Sequence, residues 1–303
     1  MAPPDISTKN VRKLLDRYRI TDGKGFRLKD HDPDDTAGLS LDKPESAALL
    51  QFGVQRLAEQ QEKLYAQNSW AMLCVFQAMD AAGKDGTIKH VMSGVNPQGI
   101  QVTSFKAPGP EELDHDFLWR INRALPERGR IGIFNRSHYE EVLAVRVHPE
   151  FLRGQRLPAD VNGKKIWENR LEDIASYEKY LSRQGIVIVK FFLNLSRKEQ
   201  KKRLLQRIDE QEKHWKFDAN DLKERALWPD FMAAYQDAIA ATAAPHAPWY
   251  VVPADNKWFT RLIVAAAVHD AMDRLDLRFP EIDDVQRTAL AAARQILERE
   301  NGG

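Results

Sequence analysis

The sequence contains a single cysteine, Cys74. A disulfide within the chain and a cysteine metal cluster are both excluded. Cys74 lies inside an apolar run, where it reads as a small core residue. No run reaches the roughly 18 apolar residues of a membrane span, so no membrane partner is expected. The first ten residues, MAPPDISTKN, lack the apolar segment of a secretory signal, and a cytoplasmic protein is expected. Charge of one sign is lacking too: 45 Lys and Arg stand against 44 Asp and Glu, a formal net charge of +1. Any polyanion must therefore meet a local patch, not a uniformly basic surface. There is no basic and aromatic platform motif, and nucleic acid is not expected as a partner. Internal repeats and low-complexity blocks are absent as well.

At 303 residues and 43% hydrophobic content, the chain can bury a large core. It is too long for one small domain and short for two, which suggests one α/β domain with helical extensions. Residues 1–45 are polar and punctuated by proline and glycine; they read as an arm with a short helix at 11–18. Helices are expected at 45–66, 110–125, 163–184, 196–212, 228–243, 256–275 and 283–300. Strands are expected at 70–76, 100–105, 130–134, 186–193 and 249–252. Residues 186–193 have the continuous apolar content of a strand at the centre of a parallel sheet. Ser196 with Glu199 reads as a capping box. Strands alternating with helices predict a parallel sheet covered on both faces. The domain reading is an arm over 1–45, a main α/β domain over 46–275 that includes a separate segment at about 196–225, and a terminal helix over 276–303.

Everything is organised around residues 70–87, WAMLCVFQAMDAAGKDGT. An apolar strand runs into small residues, then Gly83-Lys84, then a helix start. Such a turn points backbone N–H groups inward, the helix N-terminus adds partial positive charge, and a lysine supplies a full one. The expected phosphate cradle is Ala81, Ala82, Gly83, Lys84, Asp85, Gly86 and Thr87. The match to G-x-x-x-x-G-K-[ST] is partial, with Ala78 and Asp85 at two key positions and Thr87 two residues late. An ordinary Gly-rich turn is the alternative. Asp80 favours the cradle, because a carboxylate beside bound phosphate is explained if a metal ion bridges the two.

A second cluster is IGIFNRSHYEEV, 131–142, which follows an apolar strand. Asn135, where the strand ends, stands 51 residues after Lys84, room for a helix, a strand and another helix. That strand end should therefore lie beside the cradle. Arg136 has the fork to clamp phosphate bidentately, and Asn135 stands where ATPases commonly carry an acidic residue. The bland readings are a helix cap for Asn135, a surface arginine, and an interior His138. The third cluster is basic, from Arg197 to Arg225, with Arg203 and Arg207 four apart on one helix face. It reads either as a lid closing arginines over phosphates or as a solvated, salt-bridged helix. A smaller cluster, Lys106 with Asp114, His115 and Asp116, has no partners at zinc-ligand spacing.

With these residues in view, the sequence resembles the polyphosphate kinase 2 family, and its class III subgroup in particular. The motifs that carry the resemblance are FQAMDAAGKDGTIKHVMSGVNPQG (76–99), SFKAPGPEELDHDFLWR (104–120), IFNRSHYEEVL (133–143) and FFLNLSRKEQKKRLLQR (191–207). The resemblance spans roughly 17–275. It implies a thymidylate-kinase-like αβα fold and Mg²⁺-dependent, reversible phosphoryl transfer from inorganic polyphosphate to AMP and ADP, giving ADP and ATP. It assigns Asp80 to metal and phosphate, and Lys84 and Arg136 to the transferring oxygens. Asn135, Ser137, His138 and Glu140 fall to the nucleotide, and Arg203 and Arg207 to a lid over phosphate. Other subgroups carry aspartate at the position of Asn135; asparagine there is similar to class III.

The chemistry is consistent with these residue types. A nucleotide phosphate is already ionised at neutral pH, so the attacking oxygen needs no general base. Catalysis reduces to aligning two polyanions and screening their repulsion, about 4 kcal/mol for unit charges at 4 Å and an effective dielectric near 20. The rivals are an ATP-dependent nucleoside monophosphate kinase and a non-catalytic polyphosphate- or nucleotide-binding protein. The apolar terminal helices suggest a homo-oligomer, dimer or tetramer.

Overall fold

The computed structural model describes residues 8–161 and 163–300. The first seven residues of the expected arm and the last three of the terminal segment lie outside them. In chain order the elements are α1 (Thr8–Leu15), β1 (Arg19–Ile20), α2 (Lys43–Gln67), β2 (Ala71–Gln77), α3 (Lys84–Val91) and β3 (Ile100–Ser104). Next come the short α4 (Pro110–Leu113) and α5 (Trp119–Arg123), β4 (Ile131–Asn135), and the short α6 (Ala144–Val147) and α7 (Pro149–Gly154). They are followed by α8 (Ile166–Arg183), β5 (Ile186–Asn194), α9 (Arg197–Asp209), α10 (Asn220–Ala226), α11 (Trp228–Thr242), β6 (Trp249–Pro253), α12 (Lys257–Asp273) and α13 (Asp284–Glu300).

The six strands form one sheet in the order β1-β6-β5-β2-β4-β3. Every pairing is parallel except that of β1 with β6. All seven residues of β2 are buried, and alternate ones serve opposite layers. Met72, Cys74 and Phe76 pack with α2, α3 and α12. Leu73 and Val75 pack with α8 and α11. This two-sided burial is why β2 and β5 read as unbroken apolar runs, and it makes the fold a three-layer αβα sandwich. Cys74 is fully buried, and burial pushes its thiol up to about 12. Among the described residues no helix is long and apolar enough to cross a membrane.

Three expectations need correction. The segment read as an arm contributes β1, whose Arg19 and Ile20 pair with Tyr250 and Trp249; two residues carry no readable period. The helix expected over 110–125 is two short helices. Asp116 Oδ1 accepts from the Leu118 N–H at 2.9 Å, a local bond that competes with helix continuation. The capping box at Ser196 is half made. Ser196 Oγ accepts from the Glu199 N–H at 3.0 Å, but the Ser196 N–H donates to Asp255 at 2.8 Å. Glu199 turns to Arg203 and Lys202 instead.

Every residue from Arg278 to Glu300 is exposed, including Phe279, Val285, Leu290, Ile296 and Leu297. The helix α13 therefore presents its apolar residues outward.

Candidate active site

The parallel strands all end on one edge of the sheet, where open α/β sheets bind ligands. The β2 exit builds the cradle. Its backbone enters the left-handed region at Ala81 (φ 64°) and Gly83 (φ 101°), and Gly83 caps α3. At φ 101° glycine is the unstrained residue. The Lys84 ammonium folds back to donate to the Ala78 carbonyl at 2.8 Å. Lys84 is 9% exposed. Burial first and Arg136 next lower its pKa, against the pull of Asp80 and Glu140. Thr87 is buried beneath the turn. A Cβ on Gly86 would meet nothing within 4 Å, so no steric reason fixes glycine there.

The end of β4 lies beside β2 in register, Phe76 opposite Asn135, which is the neighbourhood the spacing implied. Asn135 Nδ2 donates to Asp85 Oδ1 at 2.6 Å, tying the strand end to the first turn of α3. Arg136 turns into the left-handed region (φ 61°), held by its N–H on the Phe76 carbonyl at 3.0 Å. Its guanidinium donates to Asp80 Oδ1 at 2.8 Å and stands 3.5 Å from Glu140. Glu140 first, and Asp80 too, raise its pKa against the effect of burial. The Gln77 amide supports Glu140 from behind, donating at 2.8 Å while its oxygen accepts from Ser137 Oγ at 3.0 Å.

These groups line one cavity of about 1240 Å³, which also takes in Lys106, Arg120, Arg207, Lys213, Lys216, Asp221, Tyr235, Lys257 and Arg261. The structure thus brings Asp80, Ala81, Ala82, Gly83, Lys84, Asp85, Gly86, Thr87, Asn135, Arg136 and Glu140 together.

It does not bring Ser137 and His138 to the cavity. Ser137 is fully buried and caps the next turn through the Tyr139 N–H at 3.1 Å. His138 is 3% exposed, its Nε2 3.5 Å from Glu178. His138 faces a buried polar cluster. There Lys190 Nζ donates to Glu178 at 2.5 Å, to Tyr139 Oη at 3.0 Å and to the Thr242 carbonyl at 2.8 Å.

Arg203 and Arg207 also line the cavity, and each is engaged by protein groups. Arg203 is 6% exposed. Its guanidinium donates to the carbonyls of Ala81 (3.2 Å), Ala82 (2.8 Å), Ala254 (2.6 Å) and Asp255 (3.0 Å), and to Glu199 (3.1 Å). It is committed to shaping the cradle from behind. Arg207 pairs with Asp221 at 2.6 Å and reaches the Lys216 carbonyl.

Asp221 and Tyr235 escaped the sequence reading, because each sits in an unremarkable helical pattern. Burial first, then Asp80, pushes the Asp221 carboxyl up to about 6. Lys257 and Arg261 were missed as well, although their place just beyond the β6 carboxyl end was a usable signal. Burial, then Arg203, Lys213 and Arg261, lower the Lys257 pKa, which identifies a concentrated cationic wall.

Among the described residues no group of three or more His, Cys, Asp or Glu is arranged to hold a metal ion alone. The donors present still suit magnesium. That ion is commonly held by one or two carboxylates with substrate phosphate and water completing the shell. Asp80, Asp85, Glu140 and Asp221 all line the cavity.

A Gly-Lys cradle at the end of a parallel strand, a neighbouring strand end bearing Arg136, and a basic wall opposite define a P-loop phosphotransferase. The profile of the Polyphosphate kinase 2 (PPK2) family matches residues 40–280. The chain belongs to the polyphosphate kinase 2 family and is an enzyme of that kind. It is 54% identical over 250 residues to the ADP-polyphosphate phosphotransferase of Rhodopseudomonas palustris, covering 82% of this chain and 86% of that one. It is 40% identical over 267 residues to the AMP/ADP-polyphosphate phosphotransferase of Meiothermus ruber, covering 88% and 96%. The crystal structure of polyphosphate kinase 2 from Arthrobacter aurescens TC1 superposes with a TM-score of 0.82 at 42% identity, covering 93% of this chain and 96% of that one.

Proposed function

We propose that the protein transfers phosphoryl groups, with Mg²⁺, from inorganic polyphosphate to AMP and ADP, reversibly, forming ADP and ATP, as a class III member of its family. The relatives' names support the donor and the acceptors. The observation that carries the subgroup is the 2.6 Å bond from Asn135 to Asp85. An aspartate at 135 would set two carboxylates at that separation, and one would have to take up a proton or move away. Asparagine lets the strand end and the helix start meet as donor and acceptor.

In this reading Lys84, released from the Ala78 carbonyl, neutralises the transferring oxygens. Arg136 clamps phosphate at the junction of donor and acceptor. Asp80 holds Mg²⁺, with Glu140 on the nucleotide side. The ion, when bound, screens the charge between the two phosphate chains. Lys213, Lys216, Lys257 and Arg261 form the wall that receives the polyphosphate. Residues 196–225 act as a lid anchored at Arg203, within a phosphotransferase unit of about 46–275. The exposed apolar residues of α13 fit a homo-oligomer, dimer or tetramer, which light scattering on the purified chain tests.

The deciding experiment incubates the protein with Mg²⁺, long-chain polyphosphate and AMP without ATP, and resolves the nucleotides over time. ADP followed by ATP is expected. ADP alone is run in parallel, because its disproportionation also yields ATP. Product from ADP but none from AMP overturns the class III reading. Product only when ATP is the donor overturns the polyphosphate reading.

A further inference from the structure

Four tyrosines are buried among the described residues: Tyr18, Tyr139, Tyr235 and Tyr250. Three have protein partners for the phenol oxygen. Tyr18 donates to Asp35 at 2.8 Å. Tyr139 Oη donates to Glu178 at 2.8 Å and lies 2.8 Å from Thr242 Oγ1. Tyr250 is bonded with Arg19. Tyr235 has none among the described residues, and its oxygen is not one of the buried unpaired atoms, so it opens to the cavity. It is 3% exposed and lines the cavity. Its ring is fixed against Phe192 of β5, centroids 4.3 Å apart. Its oxygen lies in the field of Glu140, Arg136 and Asp80, the three charged groups at the junction of the cradle and the β4 end.

We propose that Tyr235 is a further catalytic residue of this site, its hydroxyl donating a hydrogen bond to an oxygen of the phosphoryl group in transit between donor and acceptor. The inference rests on the reading of the site as a phosphotransferase centre. A donor whose ring is rigidly packed, whose oxygen opens to the cavity and which has no protein partner is preorganised for charge that arrives with the substrate. Burial first, and Glu140 next, push its pKa well above the ordinary phenol value. The group therefore keeps its proton at every working pH and acts as a donor, not as a base. Tyr235 shares its cavity with Arg136 and Asp80, the groups read as acting on the transferring phosphate.

The test is Tyr235→Phe, which removes one oxygen and keeps the ring on Phe192. Losing a hydroxyl with no protein partner leaves the melting temperature unchanged or raised, since a shape-conserving apolar replacement is then neutral or favourable. Turnover falls about 100-fold, the usual cost of deleting one preorganised donor. KM for AMP and for polyphosphate stays within about twofold, as for an interaction made mainly in the transition state. The Kd of AMP, measured by calorimetry without donor, is unchanged. Tyr139→Phe is the contrast. It strips a partner from Lys190 and Glu178, so it lowers the melting temperature.

A kcat within about threefold of wild type overturns the proposal. So does a rise in KM with kcat intact, which makes the hydroxyl a ground-state binding group. A fall in melting temperature alongside the loss of rate makes it structural. Should the wild type turn over only with Mg·ATP and AMP, the polyphosphate reading fails instead. The same comparison is then made with that donor, because the hydroxyl meets the transferred group whichever donor brings it.

Discussion

Replacing Arg203 by alanine separates two roles that a basic helix near phosphate can have. The guanidinium touches four backbone carbonyls and one carboxylate at 2.6–3.2 Å. Two of the carbonyls belong to the cradle and two to the turn after β6. Alanine leaves all four carbonyls and Glu199 without this donor where little water reaches. Removing one partner from such a buried charged cluster costs about 3–5 kcal/mol. At about 2 °C per kcal/mol for a chain of this size, the melting temperature drops by roughly 6–10 °C. Lysine restores the charge but not the fork, so Arg203→Lys recovers less than half of the loss. The assay is thermal unfolding followed by circular dichroism, with no phosphate in the buffer, so that ligand binding cannot contribute. Arg207→Ala is the reference. Its pairing is to Asp221 and one exposed carbonyl, and about 1 kcal/mol is expected. The reasoning is refuted if Arg203→Ala melts within about 2 °C of wild type while KM for polyphosphate rises. The side chain would then be a ligand-binding group.

Lys84→Ala and Asp80→Asn each lower kcat by more than about 100-fold while the melting temperature holds; steady-state kinetics on folded protein checks both. Ser137→Ala lowers stability by about 1 kcal/mol through loss of the cap and leaves KM for AMP and ADP unchanged, as denaturation and kinetics on one preparation would read. Asp221 takes up a proton on folding between its ordinary 3.8 and about 6. The stability its raised pKa contributes is full below 3.8 and is lost as pH rises through about 6. Asp221→Asn removes that slope, which denaturation midpoints measured across the window detect.

The cradle was legible because its signal is local: an apolar run, a Gly-Lys turn and a helix start lie within eighteen residues. The place of the β4 end beside the cradle was legible from chain arithmetic, since parallel neighbours need a crossover of bounded length. What was not legible shares a cause. Ser137 and His138 follow Arg136 directly, yet the left-handed turn at Arg136 sends its guanidinium to Asp80 while the next two residues enter the core. No pattern of residue types announces that change of direction. Arg203 looks like any arginine of a charged helix until the β6 turn arrives from 50 residues away to supply its carbonyls. Tyr235 keeps helical period with its apolar neighbours, and only the lack of a partner for its oxygen sets it apart.

Cys74 has a consequence for labelling. Its thiol is fully buried and held protonated far above neutral pH, so alkylating reagents have no thiolate to attack in the folded chain. The native protein is in effect free of reactive sulfur. A cysteine placed at any exposed position, Trp215 for instance, becomes a single address for a fluorophore or spin probe. No background substitution in the core strand is needed to prepare it.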